Sequence, residues 1–81
     1  MRRIQVWQAE IQYKSTVLGS FSMRKEYIAT KDRSLSEAES VAIHLGVKRA
    51  QEEKNEDFVQ IENINYASGA YVDDEGAKGD E

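Results

Sequence analysis

The chain contains no cysteine, a single histidine and a single tryptophan among its 81 residues. Without cysteine there are no disulfides, no thiolate chemistry and no zinc sites built on Cys ligands. The histidine, His44, has no acidic cluster at ligand spacing around it and reads as a solvated surface residue. No apolar run approaches the ~20 residues of a membrane span. Arg2 and Arg3 open the chain, but Ile4 to Ala9 is too short and too polar for a signal-peptide core. These absences lead to the expectation of a cytoplasmic protein without a membrane segment.

Catalytic signatures are missing as well. The sequence has no G-x-G-x-x-G, no G-x-x-x-x-G-K-[ST], no H-E-x-x-H and no calcium loop. Asp73, Asp74 and Glu75 are acidic, but their spacing preorganises no metal. No catalytic residue, metal ligand or cofactor is therefore assigned, and the expectation is a binding protein rather than an enzyme.

What is present is charge, unevenly distributed. The formal net charge is −4. Residues 1–33 hold seven bases and three acids, a balance of +4, whereas residues 34–81 hold four bases and twelve acids, a balance of −8. Such polarity predicts two electrostatic faces, or a basic sheet edge and an acidic tail.

The longest periodic stretch is Ser34 to Lys54. Ser34 and Glu37 form an S-x-x-E capping box, in which each side chain reaches the other's backbone N–H. Leu35, Ala38, Val41, Ala42 and Leu45, extended by the stem of Arg49, fall on one stripe at 100° per residue and predict a helix packed on a sheet. Ile43, Val47 and Ala50 form a second stripe, read as lying on nearly the opposite side. Gly46 either permits close packing or marks an early break.

The flanking segments read as strands. Trp7, Ala9, Ile11 and Tyr13 alternate with polar residues, the period of a sheet with one buried face. Ser15 to Ser20 is a hairpin turn in which Gly19 supplies a positive φ, with Val17 and Leu18 as an apolar tip. In the second strand Phe21, Met23, Tyr27 and Ala29 share the phase assigned to the core. From Phe58 to Tyr66 the phase slips, which predicts a bulge near Glu62–Asn63. Ser68–Gly69 is read as a turn into a short fourth strand, Ala70 to Val72. The expected fold is α+β, a small antiparallel sheet with one helix on one face. It forms a single domain over 1–72, and a disordered acidic tail follows over 73–81.

Three pieces, WQAEIQY, EYIATKDRSLSEAESVAI and DFVQIENI, together resemble a family of small β-β-α-β proteins of bacteria and their phages. The resemblance spans about Trp7 to Ile64. It carries over no functional residues, and implies a phage or mobile-element origin and action by binding a host protein.

Two functional classes follow. The first is a protein-interaction module that meets a host protein or a second copy of itself through Ile43, Val47, Ala50, Val17 and Leu18. Its acidic half could also occupy a nucleic-acid site by imitating phosphate charge. The second is a nucleic-acid-binding module using the basic N-terminal hairpin, with Arg2, Arg3, Lys14, Arg24, Lys25, Lys31 and Arg33 beside Trp7, Tyr13 and Phe21.

Overall fold

Alternation governs the first strand. β1 (Arg2–Ser15) sends Trp7, Ala9, Ile11 and Tyr13 to one side, where all four are buried. The turn that follows closes with Gly19 N–H donating to the Ser15 carbonyl at 2.9 Å, and Gly19 takes the positive φ (75°) that its sequence position predicts. β2 (Phe21–Thr30) returns antiparallel to β1, with Trp7 opposite Ile28 and Lys14 opposite Phe21.

The helix α1 (Leu35–Glu53) begins at the predicted cap: Ser34 Oγ accepts from Glu37 N–H at 3.3 Å. The return half of the capping box is replaced. The Glu37 carboxylate accepts from Lys31 N–H at 3.0 Å and Asp32 N–H at 3.4 Å, so it ties down the link from β2 rather than the cap residue. Gly46 does not break the helix. A Cβ there would stand 2.5 Å from Phe58 Cδ1 and 3.2 Å from Ile11 Cγ2, so its absence brings the helix backbone onto the sheet.

Lys54 caps the helix with φ 59°, and β3 (Glu56–Val72) runs back antiparallel to β1. The computed structural model describes residues 2–72, and the expected acidic tail lies outside the described residues. Among the described residues the sheet has three strands in the order β2-β1-β3, an α+β fold with one helix on the sheet. The register of β3 against β1 shifts three times, leaving Val59, Glu62 and Ala67 without a partner in the pairing. The shift at Glu62 is the predicted bulge.

Two expectations fail. Ser68–Gly69 is not a turn: Ser68 pairs with Val6 and Gly69 with Gln5, and the strand continues to Val72, so Ala70 to Val72 belong to β3 and do not form a separate fourth strand. The bulge at Ala67 shifts the register without ending the strand, and no proline removes a backbone donor from it. Gly69 instead leaves room for Arg3, whose guanidinium would meet a Cβ there and which lies 5.7 Å from the Tyr71 ring centre.

The phase of β2 is also reversed. Ile28 and Thr30 are buried, whereas Phe21, Met23 and Tyr27 are exposed. The reason is the pairing register. Each residue of β2 faces the same side as its partner on β1, and Phe21, Met23 and Tyr27 pair with Lys14, Gln12 and Gln8. Trp7 fixes this register from the covered side by donating from Nε1 to Thr30 Oγ1 at 2.8 Å. The core is thus Trp7, Ala9, Ile11, Tyr13 and Ile28 under Ala38 and Ala42, closed along β3 by Phe58, Ile61, Ile64 and Tyr66.

Candidate functional site

Where α1 sits follows from its smallest residues. Ala38, Ala42 and Gly46 are its buried positions. Residues four apart drift by about 40° around a helix, so a line of them winds, and the twisted sheet beneath follows it. Ala50 extends that line and packs, half-buried, against the core. It therefore leaves the second apolar stripe to which its sequence position assigned it.

Ile43 and Val47 then lie on the flank of α1 rather than on the side opposite the sheet. Between that flank and the outer edge of β3 runs a cleft of about 560 Å³. Leu35, Glu39 and Ile43 form one wall, and Val59, Ile61 and Glu62 belong to the other. A second hollow carries on past Phe58 to Val47 and Lys54. Leu35 is 52 % exposed, Ile43 45 %, Val47 40 % and Val59 39 %. Large apolar side chains exposed singly are ordinary on a protein surface, but these stand as a group beside the outer strand of the sheet.

Leu35 and Val59 were not singled out in the sequence as interaction residues. The helical period puts Leu35 on the core stripe, and Val59 lies in a strand whose phase slips, at a position left without a partner by a bulge. A usable signal was present in the i, i+4, i+8, i+12 series Leu35, Glu39, Ile43, Val47, which forms one continuous line on the helix.

Val17 and Leu18 are exposed at the hairpin tip, apart from the cleft. The turn holding them is ordered from within, since Ser15 Oγ accepts from Leu18 N–H at 2.9 Å and from Val17 N–H at 3.2 Å. Thr16 N–H donates to the Asn55 carbonyl at 2.9 Å, which fastens the tip to the link between α1 and β3.

The basic residues do not form one surface. Arg2 and Lys14 lie twelve residues apart on β1, about 40 Å at strand spacing. Arg24 points to the covered side, where it pairs with Glu56 at 2.7 Å and lies 4.9 Å from the Tyr13 ring centre. Arg33 lies 3.9 Å from the Tyr66 ring centre, and Tyr66 meets Trp7 edge-on at 5.4 Å. Arg2, Arg3 and Lys31 line a hollow at one end of the sheet together with Asp32. Of the three aromatic residues expected beside the bases, Trp7 and Tyr13 are buried and only Phe21 is exposed. Phe21 shares the uncovered face of the sheet with Lys14, 5.6 Å from its ring centre, with Tyr27, and with Lys25 opposite Glu10.

Charges on the covered side gather around Tyr13. Besides the Arg24–Glu56 pair, Arg49 lies 3.5 Å from Glu26 and 3.7 Å from Glu52. The Tyr13 hydroxyl is buried with no hydrogen-bond partner among the described residues. Burial, and then the negative charge of Glu26, hold its proton more tightly than usual and raise its pKa above 10.0.

Among the described residues no three His, Asp or Glu side chains come together at metal-binding distance, and no helix is long and apolar enough to cross a membrane. The chain matches no protein-family model, and neither a curated protein nor a solved structure shows significant similarity to it.

Proposed function

We propose that this chain is a non-catalytic protein-interaction module that engages its partner through the cleft between α1 and the outer edge of β3. The reading fits a phage-encoded protein that binds a host protein. What carries it is the exposure of Leu35, Ile43, Val47 and Val59 along the outer edge of β3, which is unpaired among the described residues. A chain of this size leaves much of its surface unburied, so further apolar burial against a partner is available to it. Selection of binders from a displayed peptide library tests this reading, with the doubly substituted chain Ile43→Lys, Val47→Glu as counter-target. Both residues are exposed, so the variant keeps its circular dichroism spectrum. Recovery of peptides that bind the native chain and not the variant is expected. Peptides that bind both chains equally would remove the cleft as the site.

A second reading is favoured by one observation. The aromatic residues Phe21 and Tyr27 stand on the uncovered face with Lys14 and Lys25, an arrangement that can stack bases and contact phosphate. It differs from the basic hairpin expected from sequence, because Arg24 and Arg33 take no part. Fluorescence anisotropy of a labelled single-stranded oligonucleotide tests it. Binding that weakens with salt and is lost in Phe21→Ala, Tyr27→Ala would establish it.

A further inference from the structure

The two occupants that the cleft could take, a foreign segment and a second copy of this chain, make different demands on its edge and on its charge. The charge of the cleft is one-sided. Its lining holds two acids, Glu39 from α1 and Glu62 from β3, whose carboxylate also accepts from Gln60 Nε2 at the strand edge, and none of its lining residues is basic. Glu62 is also the extra residue of a bulge, held outside the regular pairing with β1.

A second copy arranged about a two-fold axis brings the same patch of both chains together. Glu39 and Glu62 of each chain would then share one seam with their counterparts, and like charges brought together at an interface are unfavourable. The backbone adds a second obstacle. Bulges at Val59 and Glu62 interrupt the regular run of outward N–H and C=O groups, a device by which edge strands avoid pairing with their own kind. A short foreign segment is under neither constraint. It can place one or two apolar side chains between Leu35, Ile43 and Val59, and it can set a cation against each acid.

Accepting the cleft as the binding site, we infer that its partner is a short segment of another protein that combines apolar with basic side chains, and not a second copy of this chain. The recognition is electrostatic at the rim and apolar in the cleft. Basic partners are therefore selected over acidic ones of equal hydrophobicity.

The test uses two fluorescein-labelled nine-residue peptides in anisotropy titrations, one alternating Leu with Lys and the other alternating Leu with Glu. The whole chain at 0.15 M salt is expected to bind the Lys peptide at least tenfold more tightly. In Glu39→Lys, Glu62→Lys the preference is expected to reverse, and in Ile43→Lys, Val47→Glu binding of the Lys peptide is expected to fall at least tenfold. Three results would overturn the inference. If both peptides bind equally and both are lost in the Ile43, Val47 variant, the cleft is a binding site but not a charge-selective one. If neither binds while the chain sediments as a dimer that this variant dissociates, the occupant is a second copy. If the Lys peptide binds the variant as well as the native chain, it is held by general charge, and the cleft loses its role with it.

Discussion

The two faces of this sheet are made by the same strands and differ in what covers them. On the covered face, Trp7, Ala9, Ile11 and Tyr13 are at most 5 % exposed. One residue away on the same strand, Gln8, Glu10, Gln12 and Lys14 lie on the uncovered face, where Phe21, Met23 and Tyr27 of β2 join them. β1 is amphipathic and its sequence announces its orientation. β2 is not: it hides Ile28 and Thr30 and exposes two aromatic rings. A strand with apolar residues in both phases is therefore oriented by the partner beside it and by the reach of the helix above, not by its own pattern.

The sharpest way to break the comparison is to charge the covered face. Ala42→Asp places a carboxylate between helix and sheet at a fully buried position. The expected cost is several kcal/mol, comparable with the ~5 kcal/mol margin of a small domain, and the cooperative thermal transition should vanish. Next comes close approach. Gly46→Ala gains about 1 kcal/mol of helix propensity but drives a methyl group into Phe58, at a cost of about 1–3 kcal/mol. A net loss, read as a lower urea midpoint, is expected. Thr30→Val removes the acceptor of the buried Trp7 N–H and should cost about 1–3 kcal/mol by the same measurement.

Tyr13 sharpens the comparison from inside. Its hydroxyl has no partner to lose, so Tyr13→Phe is expected to leave stability at pH 7 within about 1 kcal/mol of the native chain. At high pH the two should part. The folded pKa is raised, so the unfolded chain gives up this proton first. The native chain then loses stability as pH climbs from 10 through the folded value, and the Phe variant lacks that component. Urea midpoints at pH 7 and pH 11 for both chains measure the difference. The smallest effect belongs to the uncovered face: Tyr27→Ser is expected to change stability by less than about 0.5 kcal/mol.

The regions that the sequence misplaced share one cause. Ala50 is four residues beyond Gly46, and its position depends on the twist of the sheet that α1 follows. Ser68 and Gly69 are common turn residues, yet they remain in β3 because Val6 and Gln5 stand beside them as partners. Neither the twist nor the partner is a local property.

Local chemistry was legible. The sequence by itself determined the cap at Ser34, the turn at Gly19, the alternation of β1, the bulge at Glu62 and the α+β class, because each depends on residues within one turn or one strand. Tertiary structure decided which face of β2 is buried, how far β3 runs, and where the cleft opens. The cleft exists because the small residues Ala38, Ala42 and Gly46 let α1 lie close against the sheet, leaving Leu35 and Ile43, and Val47 in the adjoining hollow, beside the outer edge of β3. Side chains distant in sequence meet there only because a helix axis and a strand edge come to lie side by side, and that geometry is a property of packing rather than of any one segment.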